Sequence, residues 1–154
     1  MKKQNLLKLI AIAVVGSTLL LACDKNDTPA PLPEPVQKLM FDWKITDITT
    51  PKVTNPATDS SILKTCMSDD IIQFASTGYD FQDGTTKCDS TIFPYSKGSW
   101  AYDISKDSIQ LGNGTPQSYQ SWKVLKLNDS VLQVRYVDSV HFEDNVTKTI
   151  SFKH

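Results

Sequence analysis

With 154 residues, 40% of them hydrophobic, the chain is long enough for one modest core and too short for several. It carries 16 basic and 17 acidic residues and a single arginine, Arg135, which excludes the clustered positive charge that nucleic-acid binding needs. Three cysteines without a Cys-x-x-Cys, and histidines only at His141 and His154, exclude a zinc site of ordinary spacing.

The chain opens with Lys2, Lys3 and Lys8 and an apolar run from Leu9 to Leu21. That run is too short to span a bilayer as a stable helix and fits the h-region of an export signal. Leu20-Leu21-Ala22-Cys23 resembles the lipobox of bacterial lipoproteins. The resemblance implies cleavage before Cys23 and a diacylglycerol on its thiol. Residues 1–22 are then a signal peptide, and their removal takes away three lysines and leaves the remainder more acidic. Residues 23–38 form a tether with Pro29, Pro31, Pro33 and Pro35 at every second position, expected to lie extended. Asp24-Lys25-Asn26-Asp27 resembles in part the charged tags that send some lipoproteins to the surface. The expected location is the bacterial cell envelope, lipid-anchored to the outer membrane, periplasmic or surface-exposed.

Residues 39–154 read as one all-β domain. Short alternating apolar runs recur between turn residues, and none continues at helical spacing. Eight strands are expected, at about 40–48, 69–75, 79–87, 97–104, 109–112, 119–127, 132–138 and 146–152. A long loop, Thr49 to Lys64, follows the first. Three hairpins share one grammar. Phe74 pairs with Tyr79 and Ile72 with Phe81 around a loop closed by Gly78; Ile104 pairs with Ile109 and Tyr102 with Leu111; Leu127 pairs with Leu132 and Leu125 with Val134. Sequential hairpins predict an eight-stranded antiparallel up-and-down barrel, with a two-sheet sandwich as the alternative.

With Cys23 assigned to lipid, Cys66 and Cys88 remain as an even pair in an oxidising compartment, where a disulfide is expected. One extra residue in the second strand of the first hairpin, at Asp83-Gly84, would bring them opposite each other.

Trp43-Lys44-Ile45-Thr46, Cys66, Asp69-Asp70, Phe74, Gly78, Phe81, Lys87-Cys88-Asp89, Gly98-Ser99-Trp100, Ile109-Gln110-Leu111 and Val124-Leu125-Lys126-Leu127 follow one another in an order that resembles the lipocalin-like domain of small bacterial lipoproteins. The resemblance covers about residues 40–152. It implies a lipocalin-like barrel, the Cys66–Cys88 bridge and no catalytic residues. Lipocalins usually open on Gly-x-Trp, where this chain has Phe41-Asp42-Trp43. The family's arginine over that tryptophan has Arg135 as its candidate here.

Catalytic patterns are absent. His141 stands near Asp138, Ser139 and Glu143, but no Gly-x-Ser-x-Gly accompanies it. Asp69 and Asp70 are adjacent and would point to opposite faces of a strand, so they cannot flank one glycosidic bond. Glu143-Asp144-Asn145 lacks the spacing of a calcium loop. Four tripeptides starting at Asp89, Asp107, Asp129 and Asp138 read Asp-Ser followed by an apolar residue or Thr, and resemble a bacterial O-glycosylation signal. No enzyme, metal or cofactor is expected. The expected partners are a membrane, through Cys23, and a small apolar or amphipathic ligand or an envelope protein, with the chain a monomer. The candidate ligand wall is Tyr79, Phe81, Trp100, Tyr102 and Tyr136. The alternative is a structural or interaction module whose barrel is filled by its own side chains.

Overall fold

The structure, a computed structural model, describes residues 29–51, 59–88, 96–113, 118–138 and 146–154. Cys23, the signal peptide, Ser90, Ser139 and His141 lie outside the described residues. A folded unit runs from Leu32 to His154.

A short helix, α1 (Glu34–Leu39), comes first. It replaces the extended conformation expected for the end of the tether. Proline tolerates this placement: Pro33 is the N-cap and Pro35 sits in the first turn, where a missing N–H leaves no intrahelical bond unmade. Nine strands follow: β1 (Asp42–Pro51), β2 (Asp59–Ser61), β3 (Ile71–Ala75), β4 (Gly78–Gln82), β5 (Lys97–Asp103), β6 (Ser108–Asn113), β7 (Ser118–Leu127), β8 (Val131–Asp138) and β9 (Val146–Lys153). All pairings are antiparallel. The order is β2-β1-β3-β4-β5-β6-β7-β8-β9, and β1 also pairs with β9, so eight strands close into the expected barrel. β2 is the addition. It lies within the stretch read as a loop, and pairs Ser61 with Thr49 and Asp59 with Pro51.

The first hairpin has the expected register, Phe74 to Tyr79 and Ile72 to Phe81. The second is corrected by two residues. Tyr102 pairs with Ile109 and Trp100 with Leu111, because the turn is Ile104–Asp107, closed by Asp107 at φ 51°. A two-residue shift keeps every side chain on its own face, but it leaves Ile104 in the turn, 63% exposed. In the third hairpin Leu127 pairs with Leu132 as expected, but a bulge then sets Val124, not Leu125, opposite Val134. Leu125 is turned outward. β1 carries a similar irregularity between Ile45 and Asp47. In both strands the buried residues step from a spacing of two to a spacing of three, and the extra residue is what a bulge absorbs.

The interior is filled from one end. Trp43, Ile45, Ile72, Ile109, Trp122, Leu132, Val134, Ile150 and Phe152 are all within 1% of complete burial. The Trp122 ring lies 6.2 Å from Phe152 and 5.7 Å from Tyr136, centroid to centroid. The end where α1 and the 76–77, 104–107 and 128–130 turns converge is here called the base. There Leu39 is fully buried, and the Trp43 indole N–H donates to the Leu39 carbonyl at 2.9 Å. This contact closes the base without the family's glycine at position 41. Arg135 does not pack over Trp43. It is exposed on β8, and its Nε faces Thr149 Oγ1 at 3.4 Å on the outer surface.

Among the described residues the seam between β4 and β5 is short, with pairs at Tyr79–Gly98 and Asp80–Lys97 and the Phe81 N–H donating to the Ser96 carbonyl. On the other flank of β5, glycine permits a close approach to β6. A Cβ on Gly98 would stand 1.9 Å from the Gly112 carbonyl oxygen, far inside contact distance. Gly98→Ala is expected to destabilise the barrel by about 2 kcal/mol or more, since backbone must move to admit the methyl. Urea unfolding followed by tryptophan fluorescence checks this.

Candidate functional site

The end opposite the base carries the longer connections, and two built features approach it. The first is a clip. Cys66, in a 3₁₀ turn (Thr65–Met67), is bonded to Cys88, with Cα atoms 5.5 Å apart. The expected bulge at Asp83-Gly84 is absent: β4 ends at Gln82, and carboxylates hold the following turn. Asp70 Oδ1 accepts the Gly84 N–H at 2.9 Å, while Asp69 Oδ2 accepts the Thr85 N–H at 2.8 Å and the Thr85 hydroxyl at 2.9 Å. Asp69 and Asp70 thus act together on one backbone segment, although their side chains reach it separately. Hydrogen bonds from Thr85 and Thr86 hold the Asp69 carboxyl below its usual range. Burial pushes Asp70 up, against the opposing Gly84 bond.

The second feature is an ion pair inside the barrel. Inward positions on β8 run Leu132, Val134, Tyr136, Asp138, and on β9 Phe152, Ile150, Lys148. The interior therefore passes from apolar at the base to charged at the far end. Lys148 Nζ lies 2.7 Å from Asp138 Oδ2, with both side chains buried. Trp122 Nε1 donates to Gln120 Oε1 at 3.0 Å nearby on β7. Burial, and then the charge of Asp138, raise the Tyr136 hydroxyl above its ordinary range.

The five candidate wall residues separate into two groups. Tyr79, Phe81 and Tyr136 are 4%, 8% and 2% exposed and belong to the packed core. Trp100 and Tyr102 are only partly buried, and both line a cleft of about 290 Å³ at the base. Leu32, Val36 and Met40 form the opposite wall. The Trp100 indole N–H donates to the Ala75 carbonyl at 2.7 Å, and its ring meets Phe74 edge-on at 5.1 Å. The Tyr102 hydroxyl donates to the Asp107 carboxylate; burial first, and this carboxylate second, push its titration up. The α1 side of the cleft is what the sequence reading missed. Leu32, Val36 and Met40 recur at helical spacing, but the prolines among them signalled extension.

Of the Asp-Ser tripeptides, Ser108 is 4% exposed at the start of β6, which closes it to a modifying enzyme. Ser130 is exposed in a turn, where Asn128 Oδ1 accepts the N–H groups of Ser130 and Val131. No cluster of three metal-ligating side chains occurs among the described residues.

A family model described as the lipocalin-like domain matches residues 42–134, which takes in most of the barrel. The chain belongs to the lipocalin-like domain family. No curated protein and no solved structure matches it.

Two predictions follow from the carboxylates. A carboxyl raised in the folded state costs stability once ionised. That cost grows as pH climbs from the ordinary carboxylate range through the raised value. A lowered carboxyl contributes stability above the ordinary range, lost as pH falls through the lowered value. Asp70→Asn, which keeps an acceptor for Gly84, is therefore expected to leave stability at neutral pH unchanged or higher, whereas Asp69→Asn lowers it. Urea midpoints at acidic and neutral pH distinguish them. Removing Asp138 alone takes away the carboxylate 2.7 Å from a buried lysine and is expected to cost about 3 to 5 kcal/mol, while Asp138→Leu with Lys148→Met is expected to cost less. Thermal unfolding of the three proteins reads this directly.

Proposed function

We propose that the protein is an exported lipoprotein of the bacterial envelope, held to the outer membrane by lipid on Cys23, whose barrel binds a small apolar or amphipathic ligand. The observation that carries the ligand reading is the base cleft. It is concave, mainly apolar, and at about 290 Å³ close to the lower limit of small-molecule sites. Trp100 and the Leu32, Val36 and Met40 side chains supply apolar walls, while Ser76, Thr77 and Ser99 bring hydroxyls to its edge. Binding, rather than catalysis, suits a site with no nucleophile and base in one place. Export and anchoring rest on the lipobox at Cys23 and the basic, apolar start of the chain. Two or more acyl chains give stable attachment, where one gives only marginal attachment.

A second reading has a specific observation behind it. The barrel interior is packed with Trp43, Phe74, Trp122 and Phe152, as a non-binding interaction module would be. The two readings separate on a cleft-filling variant. The full chain, purified from its membrane, is expected to carry a ligand visible by native mass spectrometry, or to bind an anilinonaphthalene probe saturably. Val36→Trp, placed on the partly exposed side of α1, is expected to weaken probe binding several-fold at unchanged thermal stability. Absence of both ligand and saturable binding would leave the filled-barrel module standing. Mass spectrometry of the N-terminal peptide tests the anchor independently: a peptide beginning at Cys23 with added acyl mass supports it, and an unmodified Cys23 ends it.

A further inference from the structure

Seven large hydrophobic side chains are exposed among the described residues, and four of them, Leu32, Phe41, Ile104 and Leu125, belong to the base. The second hairpin turn, which carries Ile104, is bonded to the stretch of β7 next to Leu125. The Val124 N–H donates to the Asp107 carbonyl at 2.9 Å, and Lys123 Nζ donates to the Lys106 carbonyl at 2.7 Å. Leu125 also lines a cleft with Glu34 and Pro35 of α1. Leu32 and Phe41 flank the helix through which the chain enters the fold, and Leu125 shares a cleft with it. Charge around them is balanced locally, with Lys38 on Glu34 at 2.6 Å and Lys106 on Asp103 at 3.4 Å.

We infer that the base is a lipid-contacting face, seated on the membrane surface in which the Cys23 lipid is embedded. The inference rests on the anchoring reading and adds an orientation and a partner. Reach decides the orientation. From Cys23 to Leu32 the chain has nine steps, at most roughly 30 Å fully extended. The ten residues of β1, likewise nine steps, alone span roughly 30 Å along the strand. The opposite end cannot meet the same surface without the tether stretching almost fully along the barrel wall. The base can, and it presents apolar side chains there. With charges of both signs interspersed around the base, contact comes from apolar side chains entering the interface and needs no anionic lipid. The base cleft then opens toward lipid, and the chemistry that fits it is an acyl chain.

The experiment uses the full lipidated protein in phosphatidylcholine vesicles, with a fluorophore on Ile104→Cys or on Tyr119→Cys. Tyr119 is exposed at the other end of the barrel, and the native disulfide occupies Cys66 and Cys88. Lipid brominated in its acyl chains is expected to quench the label at position 104 several-fold more than the label at 119. Equal quenching, or stronger quenching at 119, overturns the inference. Vesicle flotation and the N-terminal peptide mass are read on the same samples. A protein that neither floats nor carries acyl mass defeats the anchoring reading and the inference with it, whereas one that floats with an unquenched position 104 defeats the inference alone.

Discussion

Strand β1 bonds to three others, and the closed barrel depends on that. Its first residues pair with β3, its middle with β9, and its last with β2. Closure by β9 removes the free edges that an eight-stranded meander would otherwise expose. The irregularity between Ile45 and Asp47 lets one strand serve both neighbours while Trp43, Ile45 and Ile48 all stay inside. The buried tryptophan at the start of β1 then ties the sheet to α1 through the Leu39 carbonyl, so base and barrel form one packed unit.

The interior is graded. Nearest the base it is aromatic and aliphatic, and at the far end it holds Asp138 and Lys148 in mutual contact. A buried ion pair is weak evidence for stability, because desolvation offsets most of the attraction. Its value lies in specificity: an inward charge on β8 and its partner on β9 fix the register of that pairing, since a one-residue slip would turn one of them outward and separate the two. The clip of Asp69, Asp70 and the Cys66–Cys88 bridge does comparable work on the segment after β4. A disulfide closing a loop with 22 residues of separation contributes about 3 kcal/mol in the chain-entropy picture. Both devices lie away from the base, which leaves α1, the 76–77 turn and β5 to shape the cleft.

The eight barrel strands and their order were legible because alternation and turn residues repeat along the chain, and Cys66 with Cys88 were legible because reading Cys23 as a lipobox cysteine leaves a single pair. Registers were legible only where the turn had one reading. Gly78 settled the first hairpin, whereas Ser105-Lys106-Asp107-Ser108 offered two turns, and Asp107 took the left-handed position instead of standing inside a symmetrical loop. The bulge at Leu125 had a signal in the step from Trp122 and Val124 to Leu127, which period-two alternation cannot accommodate. The carboxylate clip had none, because it depends on where Gly84 to Thr86 turn in space. The wall residues divided for a similar reason. Alternation gives the face a side chain points to, not how far along the barrel it sits, and height in the barrel separates the core Tyr79 and Tyr136 from the cleft-lining Trp100 and Tyr102.

Amide hydrogen exchange on the folded protein tests the central claim, that closure through β1 and β9 holds the molecule together. The account predicts that amides of Ile48 on β1 and of Ile150 and Phe152 on β9 exchange last and by a common opening, with the short β4–β5 seam at Tyr79 and Gly98 exchanging much earlier. Exchange of the β1 and β9 amides as fast as that seam, or independently of each other, would contradict it.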